Sequence, residues 1–269
     1  MKWLLVLGLT FFASMPTFNA DLNSKNQIIQ TCVIKTKISV SINPPTFWFD
    51  QSVEFHQYQN WKKSLLAPIK VKQPSKPEPK NTRVVAITID DGPQKFFDQR
   101  ALEILKQYHA TATFFFIGQQ AAYQTDSIKA LAKAGFEIGN HSFTHANFAS
   151  CSSAKDRSEI CQTDRILTGA IGHKPLFFRP PYGAHNSRSD TVAESLGHKV
   201  IIWDIDPKDW RGKNGPPPEQ TLNYISARLK PGVVILMHEK KNTLIMLPKL
   251  LEILKQKNYQ TINLSDLKT

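Results

Sequence analysis

The sequence predicts an α/β fold of parallel strands joined by crossover helices. Strand-like apolar runs alternate with amphipathic helical stretches from Val84 onward, and polar residues capable of chemistry recur directly after those runs. The composition agrees: 41% hydrophobic and 21% charged residues over 269 positions is ordinary for a globular chain and excludes a wholly disordered or collagen-like one.

The strand-like runs are Val84–Ile89, Ala112–Ile117, Phe136–Gly139, Leu176–Phe178, Lys199–Trp203, Val233–Met237 and Tyr259–Ile262. Leu102, Leu105 and Tyr108 share one helical face between the first two runs. Leu244, Leu247, Leu251 and Leu254 share another before the last. Strand–helix units in this number fit a small barrel or an open doubly wound sheet.

The residues before Val84 read differently. Met1-Lys2, the apolar run Trp3–Ala13 and the polar and small residues ending at Ala20 have the layout of a secretory signal peptide over 1–20. The run is short for a membrane span. Residues 21–66 form an N-terminal extension with one strand-like stretch, Cys32–Ile42, and an aromatic cluster at Phe47, Trp48 and Phe49. Residues 67–83 have linker composition, with Pro68, Pro74, Pro77 and Pro79 among lysines. From Trp61 to Arg83 there are six Lys and one Arg against one Glu, which is either a solvated basic linker or a contact for an anionic envelope surface. The formal net charge of +12 points the same way, and an exported chain is not expected to meet nucleic acid.

Export implies an oxidising compartment. Cys151 and Cys161 then form an expected local disulfide, with Cys32 left over. Three cysteines at these spacings do not make a zinc–thiolate site.

The polar sets carry the functional signal. Asp90-Asp91-Gly92-Pro93 follows the first strand, and in a parallel α/β fold the C-terminal strand ends build the active site. His141 and His145 follow the third strand. Their spacing predicts two imidazoles on one side of a helical turn, able to reach one metal. With Asp91 they make a two-histidine, one-carboxylate set with positions left open for water. Arg179-Pro180-Pro181-Tyr182-Gly183 follows the fourth run, where two prolines stiffen the turn beside an arginine. Acids and tryptophans alternate from Trp203 to Trp210. A buried acid there would raise the pKa of a neighbouring histidine, whereas surface acids on a loop would do nothing. His238 ends the sixth run.

In this order Asp-Asp-Gly-Pro, His-Ser-x-x-His, Arg-Pro-Pro-Tyr-Gly, Asp-x-x-Asp-Trp and Leu-x-His, spread from Ile87 to Glu239, resemble the five motifs of the polysaccharide deacetylases with a NodB-homology domain, carbohydrate esterase family four. The resemblance covers residues 84–269. It implies a distorted (β/α)7 barrel preceded here by a short N-terminal extension, a divalent metal that is usually zinc, and removal of acetyl groups from acetylated sugars. It implies Asp91, His141 and His145 as metal ligands, Asp90 as general base held by Arg179, and the Tyr182 backbone N–H as oxyanion donor. His238 is then the general acid tuned by Asp209. Trp210 and Leu236 form the acetyl pocket, with Pro180 and Tyr182 also on the substrate side. Ile89 stands where the family often has Phe, and Glu239 where Asp is frequent.

The implied substrate is an acetylated glycan of the envelope or extracellular space: peptidoglycan or chitin-like N-acetylglucosamine units, or acetylated xylan. The expected form is a monomer, periplasmic or secreted. The alternatives are a carbohydrate-binding protein that keeps the scaffold without the catalysis and a related metal-dependent hydrolase acting on a linear amide or a small ring; loss of Asp90, Asp91 or His238 would signal the first, and all three are present. A phosphoesterase should show a Gly-rich or strongly basic phosphate site, and only Arg179 is present.

Overall fold

The computed structural model describes residues 83–267. The predicted signal peptide, the extension with Cys32 and the aromatic cluster, and the basic linker apart from Arg83 lie outside the described residues. Arg83 itself opens the first strand.

All seven predicted strands are present: β1 (Arg83–Gly92), β2 (Thr113–Phe116), β3 (Glu137–Asn140), β4 (Phe177–Phe178), β5 (Lys199–Val200), β6 (Val234–His238) and β7 (Tyr259–Thr261). Between them run α1 (Lys95–Gln107), α2 (Gly118–Ala121), α3 (Thr125–Lys133), α4 (Ser153–Ile171), α5 (Ser187–Ser195), α6 (Pro218–Arg228) and α7 (Lys241–Gln256). Every strand pairing is parallel, in the order β5-β4-β3-β2-β1-β6, with β7 added to the start of β1. After β5 the chain crosses to β6, where Ile205 bridges Ile235, so the sheet curls into a distorted barrel.

Alternation along the strands divides the core. Val85, Ile87 and Ile89 of β1, Phe114 and Phe116 of β2, and Ile235 and Met237 of β6 face the helices, where they pack with Leu105 of α1 and with Leu244, Leu247, Leu251 and Leu254 of α7. The two predicted helical faces are therefore the core faces. The alternate positions point inward: Ala86, Phe115, Phe177 and Val234 form a smaller cluster, and Thr88 and Asp90 continue the same face toward the strand end.

The expected Cys151–Cys161 disulfide is not formed. α4 begins at Ser153, so Cys161 lies more than two turns along it. At the usual rise of about 1.5 Å per residue this puts the Cys161 Cα about 12 Å along the axis from the helix start that Cys151 precedes, against the Cα separation of about 7 Å that a bridge tolerates.

Candidate active site

A β-bulge solves the problem of adjacent acids. Side chains on a strand alternate, so Asp90 and Asp91 should face opposite sides. The β1–β2 register slips between Asp90 and Gly92, and Asp91 takes a left-handed backbone with φ 74°. Both carboxylates consequently serve the same strand end. Gly92 follows where nothing larger fits, since a Cβ there would lie 1.7 Å from Glu239 Oε1.

Asp90 is buried and held by Arg179, whose Nη1 donates to Asp90 Oδ1 at 2.8 Å and to Thr88 Oγ1 at 2.7 Å. Arg179 has no exposed surface; it fills the barrel interior. Its Nε donates to the Ile201 carbonyl at 3.1 Å, and its guanidinium lies 4.3 Å from the Phe115 ring centroid. A buried arginine so fully partnered is a fixed clamp, not a mobile finger.

Asp91, His141 and His145 come together as the sequence predicts, though the two histidines do not share a helix. They sit on the loop after β3, in which Ser142 (φ 65°) and His145 (φ 60°) are left-handed, and this turn brings the two ring centroids to 5.0 Å. Asp91 Oδ1 lies 3.3 Å from His145 Nε2 and 3.7 Å from His141 Nε2. Tetrahedral zinc with bonds of about 2.1 Å requires donor separations of about 3.4 Å, so the set fits such an ion. The protonation states fit as well. His141 Nδ1 donates to the Arg179 carbonyl at 2.8 Å, leaving the Nε2 lone pair for a ligand. Burial holds the His141 imidazole below its usual pKa, against the charges of Asp90 and Asp91. Burial would raise the Asp91 carboxyl, but the hydrogen bond from His145 and the charges of His141, His238 and Lys240 keep it well below the usual carboxylate range. This is the one cluster of metal-ligating geometry among the described residues.

His238 stands beside Asp90 on the neighbouring strand, the two being register partners. Asp209 Oδ1 lies 2.8 Å from His238 Nδ1, and Asp209 Oδ2 accepts from the His238 backbone N–H and from Thr243 Oγ1, each at 2.7 Å. Burial would lower the His238 pKa. The hydrogen bond and charge of Asp209, with Asp90 and Asp91, outweigh it and hold the imidazole above its ordinary value. Of the residues assigned to substrate contact, Tyr182 and Trp210 are exposed, while Pro180 and Leu236 are buried. The Tyr182 ring meets His145 edge-on at 4.6 Å, and Tyr182 is itself left-handed (φ 62°).

Four supporting residues escaped the sequence reading. Fully buried Glu159 of α4 accepts from the Phe143 and Thr144 backbone N–H groups at 2.9 and 2.6 Å and from Thr144 Oγ1 at 2.9 Å, clamping the turn between the two histidines. Asn140 Oδ1 accepts from Ser142 N at 2.8 Å, and its amide donates to Asp164, which pairs with His198. An acid five residues further along the same helix gave no motif signal. Its role exists only once α4 packs against the loop.

Comparison with known proteins points to one family. A family model described as polysaccharide deacetylase matches residues 77–201. Over 195 residues the chain is 33% identical to a peptidoglycan-N-acetylglucosamine deacetylase of Bacillus cereus, covering 70% of this chain and 90% of that one. It is 30% identical over 188 residues to the peptidoglycan-N-acetylmuramic acid deacetylase PdaC of Bacillus subtilis, covering 70% of this chain and 39% of that longer protein. Among solved structures, a CE4 family pseudoenzyme from Bacillus anthracis superposes with a TM-score of 0.66 at 30% identity, covering 70% of this chain and 66% of that one.

Proposed function

The chain belongs to the polysaccharide deacetylase family of hydrolases, and on that premise we propose that it removes the acetyl group from N-acetylated sugars of an envelope or extracellular polysaccharide, using a divalent metal, most readily zinc. One observation carries the reading. The Asp91–His141–His145 set shares its strand ends with a clamped carboxylate and a histidine whose pKa a buried acid raises.

When bound, a divalent cation supplies Lewis-acid polarisation of a carbonyl and acidification of water. The chain's own residues do the rest. Asp90, fixed through Oδ1 by Arg179, takes the proton of the attacking water at its carboxylate. The Tyr182 backbone N–H donates to the oxygen on which negative charge develops. His238, with Nδ1 engaged by Asp209, delivers the proton at Nε2 to the departing sugar nitrogen. Trp210 and Leu236 enclose the methyl group.

The substrate supported best is N-acetylglucosamine in peptidoglycan or chitin-like oligomers, the activity borne by the Bacillus cereus relative's name. The basic start and apolar run of residues 1–20 support export to the periplasm or beyond, where the lysine-rich linker meets anionic envelope polymers and the protein acts as a monomer. The test is acetate release by metal-stripped protein before and after zinc is added. Chitin oligomers, peptidoglycan and acetylated xylan are offered in parallel, with Asp90→Asn as control. Zinc-dependent release from an N-acetyl substrate, absent in the variant, is the expected result. Release from xylan alone reassigns the chain as an O-acetyl esterase. No release with zinc tightly bound leaves a glycan-binding role on the same scaffold, on which a pseudoenzyme neighbour is known.

A further inference from the structure

The surplus of positive charge sits at one end of the barrel, opposite the active site. In a parallel α/β fold every strand starts, and every crossover helix finishes, at the same end. Lys106, Lys133, Arg228 and Lys255 occupy the last turns of α1, α3, α6 and α7. Arg83 and Lys199 open β1 and β5, and Lys174, Lys230 and Lys257 lie on the segments that lead into β4, β6 and β7. All are exposed. Glu137, Glu194, Glu252 and Asp266 are the acids at or near that end. Residues 83–267 carry 23 Lys and Arg against 18 Asp and Glu, and away from this end the two signs balance. The net charge of these residues is therefore the charge of this end.

A cation in a last helical turn offsets the negative end of the helix dipole, an ordinary reason for the first four. The dipole gives no reason for Arg83 and Lys199, which open strands, or for Lys230, beyond the cap of α6. Lys174 pairs with Asp164 at 3.3 Å; the other cations of this end have no ion-pair partner among the described residues.

Two features decide what this end meets. A cation lies at or ahead of the start of each strand from one edge of the sheet to the other. A single polymer strand reaches only those along its path, whereas a charged plane meets them together. Leu176 is 42% exposed among them: Lys174 precedes it by two residues, and its carbonyl accepts from the Lys199 backbone N–H at 2.9 Å. An apolar side chain flanked by cations suits a bilayer boundary, where the charges meet headgroups and the side chain enters the acyl edge. A dissolved polyanion offers that side chain nothing. We propose that the strand-start end of the barrel is a docking face for an anionic phospholipid bilayer, with Leu176 at the boundary. The strand ends that carry Asp91, His141, His145 and His238 then point away from the membrane.

Sedimentation of the full chain with vesicles tests this. Wild type should bind vesicles containing phosphatidylglycerol, bind pure phosphatidylcholine weakly, and lose affinity as salt is added. Each basic residue at an anionic surface is worth roughly fivefold, so the variant combining Lys133→Gln, Lys199→Gln and Lys257→Gln should bind ~100-fold more weakly. A control combining Lys95→Gln, Lys241→Gln and Lys249→Gln removes the same charge away from that end and should stay within ~3-fold of wild type. Both variants keep residues 1–82, so whatever those residues bind cancels from the comparison. Leu176→Ser should weaken vesicle binding several-fold and leave binding to soluble poly(glycerol phosphate) unchanged. Equal losses in the two triple variants overturn the proposal, because net charge and not this face would then be responsible. Wild-type binding that ignores phosphatidylglycerol overturns it too. A loss in the face variant as large on poly(glycerol phosphate) as on vesicles, with Leu176→Ser silent on both, gives the face to an anionic polymer instead of a bilayer. None of these readouts involves a metal or a sugar, so the deacetylase reading can fail without touching this one.

Discussion

Two pairs of acids flank the end of β1, and they live in opposite conditions. Asp90 and Asp91 are neighbours in sequence, and each has cationic or potentially cationic company: Arg179 on one, His145 and Lys240 on the other. Asp98 of α1 and Glu239 after β6 come from distant parts of the chain and are buried as Asp90 is, yet their chief company is each other, and among the described residues no cation pairs with either. Burial and the nearby Asp98 hold Glu239 well above the usual carboxylate range, while burial pushes Asp98 up to about 6. Depth alone therefore does not decide whether a carboxylate is ionised. Partners do, and the pair with partners is the one placed to do chemistry.

The sharpest way to break the contrast is to remove charge from the front pair. Asp90→Asn keeps the shape and an acceptor for Arg179 but cannot take a proton, and His238→Ala removes the acid. Each should lower turnover by at least ~10²-fold, the usual contribution of acid–base groups, in stopped assays of acetate release at saturating zinc. Near-normal turnover in either variant removes that residue from the chemistry.

The next largest effect should come from Glu159, a buried acid whose partners are backbone N–H groups and a hydroxyl, with the half-exposed Lys155 ammonium at 2.7 Å. In Glu159→Gln one oxygen can still accept from both backbone N–H groups, but the charge that strengthens those bonds is gone and the amide nitrogen meets the Lys155 ammonium, so the turn carrying Ser142 to His145 loosens. Zinc affinity should fall by ~10- to 100-fold, as for other groups that orient metal ligands, while circular dichroism and melting of the metal-free protein show the fold retained. Unchanged affinity would mean that the turn holds its shape through Asn140 and the α2 backbone alone.

A smaller effect, on pH dependence, should follow from Asp209→Asn. Asp209 is what holds His238 above its ordinary pKa. Without it the imidazole loses its proton at lower pH, so the alkaline limb of the kcat/KM profile should move toward acid. An unmoved limb would assign that limb to another group.

How much of this was legible beforehand follows the length scale of each interaction. The seven strands and the two apolar helix faces are local patterns, and the sequence shows them directly. So are the strand-end motifs, which name Asp90, Asp91, His141, His145, Arg179 and His238. The histidine spacing was read as a helical turn because i, i+4 spacing has that meaning in a helix. Positive φ at Ser142 and His145 produces the same juxtaposition in a loop, and nothing in a four-residue window separates the two. The expected cysteine bridge failed for a related reason: proximity in sequence became distance along a helix whose start at Ser153 was not foreseen. Glu159 and the Asp98–Glu239 pair were invisible because the partners that matter lie on other elements or are backbone atoms.

That rear pair gives the smallest and most diagnostic prediction. In the unfolded chain Asp98 ionises near 3.8, whereas in the folded protein it holds its proton to about 6. Below the lower value both states are protonated and folding incurs no penalty. As pH rises between the two, the unfolded state sheds a proton that the native state keeps, so stability falls, and the loss persists above the upper value. Asp98→Asn cannot ionise, and its amide can donate to Glu239. The stability of this variant relative to wild type, from urea melts between pH 4 and 8, should therefore improve as pH rises even if the variant starts slightly less stable. Parallel pH profiles for the two proteins would show that the rear acids ionise without cost, and the contrast with the front pair would then rest on geometry alone.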